Sequence, residues 1–130
     1  NLLYIVGGKI IADKAGKPWG AAMQERILTP LGMTGTTTSV AAMLASSDYS
    51  APHSKIGDKI TVVKPMPVPN ADGAVGINTS AEDIARWMTV LLNQGKMDNG
   101  AQLFSARQAA EMWTEQTPMR IREPKPALAA

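Results

Sequence analysis

The chain has no cysteine and only one histidine, His53. The first absence excludes disulfides and thiolate metal sites. With no His, Asp and Glu run at metal-ligand spacing either, neither a metal nor another cofactor is expected. Aromatic residues are scarce: three Trp, two Tyr and one Phe. Leu, Ile, Val, Ala and the eight Met must therefore fill most of the core, and Met suits an adaptable packing surface. No apolar run approaches the roughly 20 residues of a bilayer-crossing helix, so no membrane span is expected. A dominant charge sign is also missing. Lys and Arg number 13 against 11 Asp and Glu, and the positive charges are scattered apart from Arg120, Arg122 and Lys125. No basic helix or basic–aromatic interleaving is present, so nucleic acid is not an expected partner. The chain begins at Asn1 rather than Met and shows no signal peptide, as expected of a processed protein or one cut from something longer.

The 130 residues are 45% hydrophobic and 18% charged, which favours one folded domain over a disordered chain. Helical signals dominate. From Leu2 to Ala15, Leu3, Val6, Ile10 and Lys14 fall on one stripe with Gly7 beside them, and Gly16 supplies a stop. Gly7 and Gly8 each cost a helix about 1 kcal/mol relative to Ala, so close packing against another helix is expected there. Pro18 fits the first position of a second helix with a buried Trp19, Met23 and Ile27 stripe, ending at Pro30. The run Thr34 to Ser39 reads as loop or short strand, and Ser39 caps a short helix over Val40–Leu44. Gly57-Asp58 marks a hairpin between Ser54–Ile56 and Lys59–Val63. Pro65, Pro67 and Pro69 impose an extended stretch through Ala74.

A capping box, Thr79 with Glu82 or Ser80 with Asp83, opens the next helix. Its expected apolar face is Ile84, Trp87, Met88, Leu91 and Leu92, and Gly95 closes it. A second box, Ser105 with Gln108, starts a last helix that turns Ala109, Met112 and Trp113 inward and ends at Pro118. The expected architecture is mainly α with a minor β-hairpin over residues 1–118. The Pro-containing segment 119–130 reads as linker or tail.

Few residues carry chemistry by themselves. His53 follows Pro52 in a loop, and a base needs a nucleophile and an orienting partner; Asp48 is near it only along the chain. Asp72, Glu82 and Asp83 read as acids favoured at helix starts. Gly73 to Gly76 lacks the Gly-Lys-Ser/Thr ending of a phosphate loop. No Ser is followed three residues later by Lys, the spacing that sets a nucleophile beside its activating amine, and no Gly-x-Ser-x-Gly elbow occurs.

Two longer blocks are distinctive. Asn1-Leu2-Leu3-Tyr4-Ile5-Val6-Gly7-Gly8-Lys9-Ile10-Ile11 leads into Gly16-Lys17-Pro18-Trp19 and then Arg26-Ile27-Leu28-Thr29-Pro30-Leu31-Gly32-Met33. Downstream, Gly73-Ala74-Val75-Gly76-Ile77-Asn78-Thr79-Ser80-Ala81-Glu82-Asp83-Ile84-Ala85-Arg86-Trp87 continues to Leu91-Leu92-Asn93-Gln94-Gly95. Their order and spacing resemble the serine β-lactamase-like hydrolases, the superfamily of class C β-lactamases, D-alanyl-D-alanine carboxypeptidases, penicillin-binding proteins and related esterases. Ala51-Pro52-His53-Ser54-Lys55 is a weaker match to the same family.

The resemblance implies the helical domain of a two-domain fold, with the active site against an α/β domain absent from this sequence. It implies acyl transfer to β-lactam, D-alanyl peptide or ester substrates in the parent protein, and a periplasmic or secreted location. The Asn of the family's Tyr-x-Asn motif, which hydrogen-bonds substrate amide and lysine, falls on Asn1. The Tyr, the Ser-x-x-Lys block and the downstream strand motif have no counterpart here, so the chain alone is expected to be inactive. The plain alternative for Asn1 is a frayed terminus or helix cap. Other expected partners are a small-molecule or peptide substrate in the parent and, through exposed apolar surface, a second copy. A non-catalytic helical interaction or cell-wall-peptide-binding module is the alternative function, and a designed piece without activity a weaker third.

Overall fold

A computed structural model describes residues 1–68 and 70–118. The expected tail, 119–130, lies outside the described residues. The first helix, α1, runs Leu2–Ala15 and closes on Gly16, whose φ of 63° is the left-handed geometry glycine tolerates best. Its expected stripe of Leu3, Val6 and Ile10 faces outward rather than into a core. The inward line is instead Ile5, Gly8, Ala12 and Ala15, of which only Gly8 is fully buried. Small residues win that side because backbone from elsewhere in the chain presses directly on it.

Pro18 caps α2 (Trp19–Met23) one residue earlier than its expected place, with ψ of 145°. The Pro18 carbonyl accepts the Ala22 N–H at 3.1 Å. The helix then widens into a π-helical turn over Gln24–Leu28, marked by Thr29 N–H donating to Gln24 O at 2.9 Å. The extra residue shifts the phase. Trp19, Met23 and Ile27 stay half-buried, while Leu28 becomes the deep residue. Beside this turn Lys17 pairs with Glu25 and holds its carboxyl below the usual carboxylate range, first by the hydrogen bond and then by its charge. A depressed carboxylate contributes stability above its unfolded pKa, and that contribution fades as pH falls through the folded value. Lys17→Met is therefore expected to return the Glu25 titration, followed by carboxyl carbon NMR, toward the ordinary value. An unchanged titration would show that Lys17 is not the cause.

Ser39 caps α3 (Val40–Leu44) as expected, its Oγ accepting Ala42 N–H at 3.2 Å. Strands β1 (His53–Ile56) and β2 (Lys59–Val62) pair antiparallel with His53 opposite Val62 and Ile56 opposite Lys59. Gly57 at φ 60° makes the tight turn between them. Every residue of both strands is exposed. The stretch expected to stay extended to Ala74 instead forms a helical turn, α4 (Asp72–Val75), which packs on α1 and α2.

Helix α5 (Ala81–Leu92) starts at Ser80, whose Oγ accepts Asp83 N–H at 3.2 Å. Its inward line is Asp83, Trp87 and Val90; of the expected face Ile84, Trp87, Met88, Leu91 and Leu92, Trp87 and Leu91 are half-buried, while Ile84, Met88 and Leu92 are exposed. The inward line and the exposed one lie about 100° apart on the helix. Hydrogen bonding of Asp83 and packing of Val90 set the phase. The core gathers Leu28, Leu31, Met33 and Val90, with Ile27, Trp87, Met97, Leu103 and Phe104 around it. Trp87 and Phe104 meet at a centroid distance of 6.1 Å in a tilted pair. The last helix, α6 (Ala106–Trp113), has the expected reciprocal Ser105–Gln108 box. Ala109 is buried, but Met112 and Trp113 are exposed, against expectation. The helix ends at Thr114, which turns extended with ψ of 134°, before Pro118 is reached.

The fold is thus mainly α with one two-stranded sheet among the described residues. No helix among them is long and apolar enough to cross a membrane.

Candidate functional site

Asn1 stands at the cap of α1. Its backbone carbonyl accepts Tyr4 N–H at 3.0 Å and Ile5 N–H at 3.1 Å, while its side chain makes no capping bond and is exposed. The carboxamide is therefore available to another group at the start of a 14-residue helix. Backbone crosses α1 between one and two turns further on, over Tyr4 and Gly8. A Cβ at Gly73 would lie 2.6 Å from Tyr4 O and 2.9 Å from Gly8 Cα; one at Gly8 would lie 2.8 Å from Gly73 Cα. Real Cβ contacts do not come so close, so the crossing demands glycine on both sides. The expected close packing is found at Gly8, whereas a Cβ at Gly7 would meet nothing within 4 Å.

The segment after α4 is tied to residues 36–38. Thr37 and Asn78 exchange backbone bonds, Thr37 N–H to Asn78 O at 2.8 Å and Asn78 N–H to Thr37 O at 3.0 Å. Below them lies a polar chain, buried at Thr36 and Asp83. Thr36 Oγ1 donates to Asp83 Oδ2 at 2.7 Å and sits 2.7 Å from Thr79 Oγ1. A hydroxyl has one proton. Thr36 spends its proton on Asp83, so Thr79 donates to Thr36. Arg86 Nε lies 3.9 Å from the other carboxylate oxygen, and the same guanidinium binds Glu82 at 2.7 Å. Asp83 is expected as a helix-start acid and as the box partner of Ser80, but its carboxylate goes to Thr36, so only the Ser80 half of that box forms; the sequence sign of this larger part is the hydroxyl-rich run Thr34-Gly35-Thr36-Thr37-Thr38. A groove of about 790 Å³ opens between this chain and residues 46–50, lined by Thr34, Thr37, Ser46, Tyr49, Asn78 and Ser80 among others.

Among the described residues no serine hydroxyl is hydrogen-bonded to a Lys or His side chain. The hydroxyls of Ser39, Ser80 and Ser105 each accept a backbone N–H as helix caps, and Ser46 accepts Asp48 N–H at 3.1 Å. His53 opens β1 on the surface, and among the described residues no hydrogen bond joins it to Asp48. Asp72 stays in the first turn of α4, as expected of a helix-start acid. No group of three His, Cys, Asp or Glu residues among those described could hold a metal.

Comparison with known proteins matches residues 1–126 to the family model described as Beta-lactamase. The chain is 29% identical over 114 residues to penicillin-binding protein 4 of Amycolatopsis lactamdurans, covering 84% of this chain and 29% of that protein. It is 31% identical over 97 residues to an unguisins hydrolase of Aspergillus campestris, covering 72% of this chain and 18% of that protein. The chain thus spans less than a third of either relative's length. The family match includes both distinctive blocks of the sequence, and the fold ties them together through the Gly8–Gly73 crossing. By the family match and by these relatives, the chain belongs to the beta-lactamase family of serine hydrolases.

Proposed function

We propose that residues 1–118 are the helical domain of a serine hydrolase that works by acyl transfer on β-lactam, D-alanyl peptide or ester substrates. The observation that carries this reading is the free carboxamide of Asn1 at the cap of α1, about two turns from the glycine crossing, in a chain of this family. Asn1 occupies the position of the family asparagine and donates to the substrate amide carbonyl. A serine Oγ from outside these residues attacks the acyl carbon. The carbon–nitrogen or carbon–oxygen bond breaks, its leaving atom takes the proton that the hydroxyl gave up, and water later cleaves the Oγ ester. Backbone N–H groups, also from outside, stabilise the tetrahedral oxyanion. The α/β domain that supplies them is the partner of this chain, and the protein acts in the periplasm or outside the cell.

Incubation with a reactive penicillin or a fluorophosphonate, read by intact mass, tests the proposal. This chain alone is expected to gain no adduct, because no Ser-x-x-Lys is present. A polypeptide that joins it to a Ser-x-x-Lys segment of the family is expected to gain one acyl group. Resistance of that longer polypeptide to β-lactam, D-alanyl and ester substrates alike would sink the reading. A stoichiometric adduct on the 130-residue chain would place a nucleophile here that the motif does not mark.

A further inference from the structure

An acid or its amide precedes glycine at Asp72-Gly73 and at Asn99-Gly100. Both pairs are open to one reaction, attack on the side-chain carbonyl carbon by the nitrogen of the following residue. A glycine there has no Cβ to crowd the approach. The fold treats the pairs differently. Asp72 lies in α4, and a Cβ at Gly73 would stand 2.6 Å from Tyr4 O and 2.9 Å from Gly8 Cα. The peptide joining Asp72 to Gly73 therefore has no room to turn. Asn99 and Gly100 are exposed, with open space around Gly100. They form the tip of a small loop, closed by the Lys96–Gln102 bridge and by Met97 N–H donating to Ala101 O at 2.9 Å. Inside this loop Ala101 N–H donates to Asn99 Oδ1 at 2.9 Å. That bond polarises the carboxamide and aims a donor at the oxygen on which negative charge gathers during attack. What holds the Gly100 nitrogen back is its N–H bond to Met97 O, 2.9 Å long, at a solvent-facing turn where local opening costs little.

We propose that Asn99 is a self-modification site, at which the folded chain converts its own carboxamide to a carboxylate. The Gly100 nitrogen gives its proton to water or hydroxide and bonds to Asn99 Cγ. The Cγ–Nδ2 bond breaks, and ammonia leaves with a proton returned by solvent. A cyclic imide remains. Water adds to one of its two carbonyl carbons and breaks the imide C–N bond there. Opening at Cγ leaves Asp at position 99; opening at the main-chain carbonyl leaves isoaspartate, whose backbone runs through the former side chain. Either product puts a negative charge beside Asp98, at a hollow that both residues share with Glu82 and Arg86. Isoaspartate also lengthens the backbone between Met97 and Leu103, which both pack on the core around Val90. The change therefore reaches the interior, and it accumulates because ammonia is lost. The reaction is internal to one loop, requires no partner, and does not depend on the hydrolase reading.

The test is a time course at neutral pH of the folded chain beside the same chain in enough urea to unfold it. Tryptic fragments are separated, and isoaspartate is read by mass and by an isoaspartyl methyltransferase; cleavage after Lys96 and Arg107 isolates Asn99 on the fragment 97–107. Folding is expected to slow the Asp72 reaction about tenfold or more and the Asn99 reaction by less than about threefold, since opening is cheap at an exposed turn and costly in a packed segment. Gly100→Ala is expected to slow Asn99 about tenfold or more in both samples, because a Cβ then crowds the attacking nitrogen. Ala101→Pro removes the N–H that serves Asn99 Oδ1. It should slow the folded chain and leave the rate in urea unchanged, which separates the loop's contribution from that of the dipeptide. An Asn99 that folding protects as strongly as Asp72 overturns the proposal. So does a folded-state rate that ignores Ala101→Pro, or modification that gathers at another Asn instead.

Discussion

Alanine at Gly8 is expected to destabilise the protein by about 2 kcal/mol, while alanine at the adjacent Gly7 stabilises it by about 1 kcal/mol. Helix propensity alone assigns both changes the same favourable sign. Space separates them. The new Cβ at position 8 would stand 2.8 Å from Gly73 Cα, which is backbone and can move only if α4 lifts off α1. At position 7 the Cβ would meet nothing within 4 Å. The difference of about 3 kcal/mol amounts to a gap on the order of 10 °C in Tm for a domain of this size. Thermal melts of the two variants measure it directly. Equal shifts in the two melts would mean that the α1–α4 crossing contributes little. Gly73→Ala should reproduce the Gly8 loss, since its Cβ would lie 2.6 Å from Tyr4 O.

Asp83→Ala is expected to cost about 3 kcal/mol, the larger effect of the two. Asp83 is 4% exposed. Its carboxylate accepts the only proton of Thr36, and Thr79 depends on Thr36 in turn. Hydrogen bonds to charged groups contribute about 1.5–3 kcal/mol, and a buried hydroxyl left without an acceptor adds its own desolvation cost. Asp83→Asn keeps an acceptor and should lose about half as much. Thr36→Val should lose about 1.5 kcal/mol, and the Asp83/Thr36 double variant less than the sum of the two. Urea unfolding followed by tryptophan fluorescence gives all four values. Strict additivity in that cycle would show that the Thr36–Asp83 bond does not couple the two segments.

Much of this was legible beforehand, and the reason differs by element. Caps at Ser39, Ser80 and Ser105 depend on residues within one turn, so local sequence specifies them. The hairpin is equally local, set by Gly57. Phase was harder. The stripe of α1 is present in the sequence, but whether Leu3 or Gly8 faces inward depends on Gly73, some sixty-five positions away by their numbering. Likewise Val90 rather than Met88 meets the core because Asp83 is held by Thr36, a contact between distant segments. The π-helical turn, which buries Leu28, leaves no single-residue mark in Gln24-Glu25-Arg26-Ile27-Leu28. For the candidate site, family resemblance pointed to Asn1, and local capping rules placed it at the start of α1. The Thr36–Thr79–Asp83 chain escaped notice because an acid in a first helical turn already has a sufficient local explanation.

The β1–β2 hairpin leaves and rejoins the fold almost at one point, because Val63 N–H donates to Pro52 O at 2.9 Å just beneath the paired strands. Every residue between those two is exposed within this chain. Natural drift can lengthen, shorten or exchange the hairpin without disturbing the α1–α4 crossing. The same geometry makes it a port for an epitope, a fluorophore or a second small domain, held at a defined root and displayed clear of the surface.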